Sequence, residues 1–163
     1  MLRTLFFLLL FATAFTQSIT GFWKSVDDET GLARCVVAVY EYKNLCYGRI
    51  IGTYDSTGKM KDSIYHPVAR APGVVGDPPY SGLDIIWDLE NGGSSYNGKI
   101  LDPENGKVYR AELWREDDNL IVRGKLLFFF RSQTWLPATA ADFPKNFKLP
   151  DLKKITPVIP EVK

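Results

Sequence analysis

YNGKILDPENGKVYRAELWREDDNLIVRGKL, Tyr96 to Leu126, decides the fold. Asp102, Glu104 and Asn105 beside Gly106 could suggest a metal or catalytic loop. Each has a simpler role in a four-residue turn at Pro103-Glu104-Asn105-Gly106. Proline suits the second turn position, Asn-Gly supplies positive φ at low cost, and Asp102 can accept backbone N–H bonds. A calcium loop would need more oxygen ligands at alternate positions. The turn sets a register: Asp102 opposite Lys107, Ile100 opposite Tyr109, Gly98 opposite Ala111, Tyr96 opposite Leu113. A second turn at Asp117-Asp118 places Leu113 opposite Val122, Ala111 opposite Gly124 and Tyr109 opposite Leu126. One face then gathers Tyr109, Ala111, Leu113, Leu120, Val122, Gly124 and Leu126. The other gathers Arg110, Glu112, Arg123 and Lys125, and a one-residue slip would destroy that segregation.

The shared strand joins the rows. Gly98, Ala111 and Gly124 fall side by side across three strands, a trough walled by Tyr96 and Tyr109. Two readings stand. Glycine suits a coiled barrel corner, or a slot for a large side chain such as Trp23. The same trough could be the floor of a ligand pocket, with Tyr96, Gly98, Tyr109, Ala111 and Gly124 as its residues.

Working outward, strand-like runs recur near 20–26, 33–42, 45–54, 83–89, 95–102, 107–115, 120–128 and 131–136. Short strands with turn signals between them indicate an all-β sandwich or barrel. Eight is the strand number at which a closed barrel is filled by side chains or holds one small ligand. The expected fold is therefore all-β, a single antiparallel barrel of roughly eight strands over residues 17–137. Residues 55–82 carry HPVARAPGVVGDPPYSG and read as a loop crossing a barrel end. Residues 138–163 are rich in proline and lysine with scattered single hydrophobics. They read either as a solvated tail or as an extended strap or partner-docking arm.

The N-terminus, MLRTLFFLLLFATAFTQS, has a basic residue, an apolar run and small residues in signal-peptide order, so residues 1–16 are expected to direct export. The run is too short to span a bilayer and no second one follows, so no transmembrane segment is expected. The expected location is the periplasm or the extracellular space. Among 163 residues the formal charge is +1 with 45% hydrophobic content. That supports a packed core and gives no electrostatic case for nucleic acid. Cys35 and Cys46 belong to a hairpin turning at Lys43-Asn44, with Cys46 opposite Glu41 and Cys35 opposite Gly52. That leaves them roughly 20 Å apart along the strands, whereas a disulfide needs Cα atoms within about 7 Å. Two free cysteines are expected. With His66 the single histidine, no zinc set exists and no metal or other cofactor is expected.

Several motifs, taken in order, resemble a family. They are Gly21-Phe22-Trp23, LCYGRIIG (Leu45 to Gly52), GLDII, GKILDPENGKVYRAEL, LIVRGKL and SQTW. The chain is similar over residues 20–136 to the bacterial exported proteins of domain-of-unknown-function family 2147. The resemblance implies a lipocalin-like small barrel and an exported location. The Gly-x-Trp looks like the lipocalin signature, whose tryptophan closes the barrel bottom against a basic residue of a late strand. By that resemblance Trp23 is structural, and Arg131 is the expected partner because Arg123 already faces Glu112. Two features depart from the family. Leu136-Pro137 stand where a basic residue often follows Thr-Trp, and the long loop lacks the Cys-x-x-Cys pair of some members.

No nucleophile elbow, His-Glu-x-x-His or phosphate loop is present. His66, Asp84 with Asp88, and Asp102 with Glu104 all read as solvated, so no catalytic residue is assigned. The expected function is a binding module for a small apolar or amphipathic, envelope-associated molecule. The alternative is an envelope interaction protein with a filled core that holds a protein partner through the tail. A hydrolase is the third reading, and it would need an acidic pair aimed into a cavity.

Overall fold

A computed structural model describes residues 17–127 and 129–163. The expected signal peptide, residues 1–16, and the last position of the expected strand 120–128 lie outside them. Nine strands run along the described chain: β1 (Gly21–Val26), β2 (Ala33–Tyr42), β3 (Leu45–Tyr54), β4 (Met60–Ser63), β5 (Asp84–Asn91), β6 (Tyr96–Asp102), β7 (Lys107–Glu116), β8 (Asn119–Leu126) and β9 (Phe129–Pro137). The order β2-β1-β9-β8-β7-β6-β5-β3, with β3 returning to β2, closes an antiparallel barrel of eight strands. Closure leaves no open edge in the main wall. The seam is short: Trp23 pairs with Pro137 and Lys24 with Leu136.

The hairpins follow the turn chemistry. Asp102 pairs with Lys107, Ile100 with Tyr109, Gly98 with Ala111 and Tyr96 with Leu113. Ala111 pairs with Gly124 and Leu113 with Val122. Asp102 accepts from the Glu104 N–H at 3.0 Å and from Asn105 Nδ2 at 2.7 Å. Gly106 takes the positive φ, 72°. Both cysteines are free. Cys46 lies opposite Glu41, but a bulge at Val36/Val37 moves Cys35 from the expected Gly52 to Thr53.

The segment 55–82 contains β4, which sequence periodicity does not reveal. MKDS has no apolar alternation, and pairing with the far end of β3, Gly52 to Ser63 and Thr53 to Asp62, makes it a strand. Met60 lies where a Gly52 side chain would be. Farther on, Gly73 donates to the Pro103 carbonyl at 3.0 Å and sits against Gly106, a contact too close for any side chain. The long segment is thereby docked on the β6–β7 turn.

Residues 138–163 form a strap on the barrel wall. A second apolar cluster lies outside the barrel: Val36, Ala38, Ile51 and Tyr54 pack with Phe22, Met60, Ile64, Phe143, Phe147, Leu152 and Ile155. The solvated-tail reading is corrected accordingly. Polar anchors fix the strap. Lys24 Nζ meets Asp142 at 2.6 Å, the Tyr54 hydroxyl donates to the Asp142 carbonyl at 2.7 Å, and Val158 N donates to Asp84 at 2.8 Å. Burial works to raise the Asp142 pKa, but the Lys24 and Thr139 hydrogen bonds outweigh it and hold the carboxyl below its usual range.

Asp84 also departs from expectation. It is fully buried, not solvated, and is paired with Arg49 Nη2 at 2.6 Å. The Tyr40 hydroxyl donates to it at 2.8 Å. Burial, with the Asp84 charge beside it, drives the Tyr40 pKa far upward, so its proton stays in that bond. Asp84 thus ties strap to barrel and is not among the residues that line the barrel's interior cavity.

Candidate functional site

One end of the barrel is shut. Trp23 donates from Nε1 to the Ile19 carbonyl at 2.8 Å. A guanidinium stacks on its ring at 4.8 Å, and it is that of Arg115, not Arg131. Arg115 is fixed by the Asn119 carbonyl at 3.2 Å in the β7–β8 turn, which lies at this closed end. Arg131 lies at the other end and is 3.8 Å from Asp28. The expected role passes to Arg115 because β9 runs so that Arg131 sits beside the opposite turn.

That opposite end opens into a cavity of about 960 Å³. The inner walls are apolar: Ile50, Ile85, Ile100, Tyr109, Val122 and Trp135. Trp135 is held by its Nε1 donating to Gln133 at 3.2 Å, and both residues face the cavity. A polar row crosses β1, β2 and β3, because Ser25 pairs with Cys35 and Cys35 with Thr53. All three line the cavity. Burial pushes the Cys35 thiol up to about 12, against a hydrogen bond from Ser25 that works the other way. Cys35 therefore stands in the wall as a protonated thiol.

The mouth carries fixed charge. Asp27 Oδ1 accepts from the N–H of Thr30 at 2.9 Å and of Glu29 at 3.1 Å, and Oδ2 takes the Arg34 guanidinium. The Thr30 backbone bond first, then the Arg34 contact, hold this carboxyl far below the usual carboxylate range. Lys61, Ala69 and Tyr80 from the long segment complete the rim, with Asp102 and Glu104 from the β6–β7 turn. His66 is exposed. Among the described residues no group of three or more His, Cys, Asp or Glu side chains is placed to hold a metal ion. No helix among them is long and apolar enough to cross a membrane.

The structure divides the residues expected to form the trough. Gly98, Ala111 and Gly124 do share one row. Tyr109 and Gly124 line the cavity. Tyr96 and Ala111 are buried in the core. Gly98 faces a bulge in β5, where Asp88 has φ 55°. A Cβ there would lie 2.7 Å from the Trp87 and Asp88 carbonyl oxygens, so this part of the trough is filled by backbone. At Gly124 a Cβ would meet Ile100 and Tyr109 at an ordinary 3.8 Å. Sequence reasoning missed Ser25, Asp27, Arg34, Thr53, Gln133 and Trp135. A usable signal was the inward alternation Arg131, Gln133, Trp135, whose first two positions are polar where a filled core would be apolar.

The model of a family described as "Uncharacterized protein conserved in bacteria (DUF2147)" matches residues 21–136. A solved protein from the human pathogen Helicobacter pylori, HP1028, described as belonging to the lipocalin family, is similar in fold. The TM-score is 0.60 at 17% identity, over 82% of this chain and 94% of that one. No curated protein matches the chain.

Proposed function

We propose that this chain, which belongs to the DUF2147 family, is a binding module that takes one small apolar or amphipathic molecule into the open end of its barrel. The cavity carries the reading. Its 960 Å³ is at the upper part of the range for small-molecule sites, which run to roughly 1,000 Å³ with apolar walls and a few placed polar groups. The apolar walls would take the hydrophobic body of a ligand. The row Ser25, Cys35, Thr53 and the Asp27–Arg34 pair would orient a polar end. We further propose export through residues 1–16 and a ligand associated with the cell envelope.

The reading is non-catalytic. Asp27 is committed to Arg34 and to turn N–H groups, and Cys35 keeps its proton. An interaction protein with a filled core has less support, because the arm that would dock a partner is engaged with its own barrel. Trp135, one of four tryptophans, lies in the cavity wall, where a bound molecule would alter its emission. Titration with a panel of fatty acids, lysophospholipids and isoprenoid alcohols should change its emission saturably. Gly124→Phe, which projects a ring into the cavity beside Ile100 and Tyr109, should weaken that change. Flat titrations across the panel, together with no co-purifying small molecule in native mass spectra, would refute the proposal.

A further inference from the structure

Three of the barrel's hairpin turns are polar, with Lys43-Asn44, Pro103 to Gly106 and Asp117-Asp118 at their tips. The β8–β9 turn is different. Its sequence is KLLFFFR, Lys125 to Arg131, five consecutive apolar residues between two cations. Leu127 is 89% exposed and Phe130 68% exposed. Leu127 also holds φ 51°, a conformation that glycine or asparagine takes at lower cost. A single exposed leucine is ordinary. A run of apolar residues at a turn, with leucine in a left-handed conformation, is not turn chemistry.

The placement adds a second observation. This tip is at the open end of the barrel, and Phe130 and Arg131 belong to the cavity rim. Leu32, on the neighbouring β1–β2 loop, is 43% exposed and also lines the rim. Arg131 joins the two loops through Asp28 at 3.8 Å. Arg123 and Lys125 share Glu112, at 3.6 and 2.6 Å, and the Arg123 guanidinium lies 5.3 Å over the Phe130 ring. Immediately around the apolar tip three cations thus stand against two carboxylates, while the acidic Asp102 and Glu104 belong to the next turn along the rim.

We propose that the β8–β9 tip inserts into the surface of an anionic phospholipid bilayer, setting the mouth of the cavity against the lipid. Leu127 and Phe130 enter the boundary between headgroups and acyl chains, while Lys125 and Arg131 meet the phosphates. A second copy of the chain fits less well, since a symmetric contact through this tip would gather Lys125, Arg123 and Arg131 of both copies into one interface. An apolar ligand could then pass between bilayer and cavity without crossing water. The surface contact itself needs no ligand in the barrel.

Vesicle co-sedimentation tests it, with phosphatidylcholine alone and with phosphatidylglycerol added. Wild-type protein should partition onto the anionic vesicles, and Leu127→Asp should weaken that by about tenfold or more, given the burial of one leucine side chain. Arg131→Gln should weaken binding to anionic vesicles and leave the neutral ones unchanged. In Leu127→Trp the new indole should shift to the blue on vesicles and be quenched by brominated acyl chains. Unchanged thermal midpoints control for folding. Equal sedimentation of Leu127→Asp and wild type, an introduced indole that brominated chains fail to quench, or a wild-type dimer dissolved by Leu127→Asp without vesicle binding would each overturn the proposal. Ligand titration of Leu127→Asp in solution, read at Trp135, separates a failed surface contact from a failed cavity.

Discussion

Gly98 and Gly124 occupy the same row of the sheet, two strands apart, and the structure gives them opposite responses to one added methyl group. At Gly98 the new Cβ would sit 2.7 Å from two backbone oxygens of the β5 bulge. Those oxygens belong to the main chain, so relief requires moving β5 away from β6. Overpacking of that kind costs about 1–3 kcal/mol. At Gly124 the neighbours are the Ile100 and Tyr109 side chains at 3.8 Å, and the cavity lies beyond. There the methyl restricts the unfolded chain without strain and stabilises by about 0.4–1 kcal/mol.

For a chain of this size each kcal/mol moves the melting midpoint by roughly 2–4 °C. Gly98→Ala should therefore melt about 2–12 °C below wild type, and Gly124→Ala about 1–4 °C above it. Calorimetry measures both, and urea titration with an unchanged m-value confirms that stability is what changes. The two variants together separate a glycine required by backbone approach from one that leaves space. If Gly98→Ala melts at or above wild type, or if Gly124→Ala falls as far as Gly98→Ala, the division of the trough into a filled half and an open half is wrong.

Removing the Asp84 carboxylate by Asp84→Ala leaves Arg49 half-buried without its partner and should cost about 3–5 kcal/mol; limited proteolysis should then cut within 138–163, which the native strap protects. Arg115→Ala should lose the cation–π contact on Trp23, about 0.5–2 kcal/mol, while Arg131→Ala, at an exposed and loosely paired position, should leave the melting midpoint nearly unchanged. Asp27 and Asp142 both have carboxyls held below the ordinary value of 3.8, so the stability they contribute is complete above that pH and is lost as pH falls from it through their lower folded values. An Asp27→Asn, Asp142→Asn double variant should show a shallower loss of stability below about pH 4 than wild type in acid-unfolding curves.

The registers of β6, β7 and β8 were legible because two signals agreed there: turn residues with defined backbone preferences, and charged and apolar positions that separate in one alignment only. Where one signal was missing, the reading stopped. β4 has no apolar alternation and exists through its pairing with β3. The shift of Cys35 to Thr53 comes from a bulge that no residue type marks. Asp84 looked solvated because its neighbours in sequence alternate; its partners, Arg49 and the Val158 N–H, come from 35 and 74 positions away. The cavity was half legible. Gly124 and Tyr109 line it, but the β5 bulge that fills the space beside Gly98 depends on Asp88 taking a positive φ, and the sequence carries no sign of that.

The strap, by contrast, had a signal split between two distant segments. In an antiparallel wall with one face in water, inward apolar positions alternate with outward polar ones. The stretch Val36-Val37-Ala38-Val39-Tyr40 does not alternate, and every one of its residues is buried. Val37 and Val39 fill the barrel, while Val36 and Ala38 face outward and require a cover. The sparse apolar residues of the C-terminal segment, Phe143, Phe147, Leu152 and Ile155, supply it. Each half looks ordinary alone, a very apolar strand and a weakly apolar tail. Together they determine which wall the segment crosses. The same segment also reaches the loop 69–80, where Val162 bridges to Val74 and Lys163 Nζ meets Asp77 at 2.6 Å; that loop supplies Ala69 and Tyr80 to the cavity rim. The strap that completes the outer face therefore also holds the loop that forms the rim of the cavity.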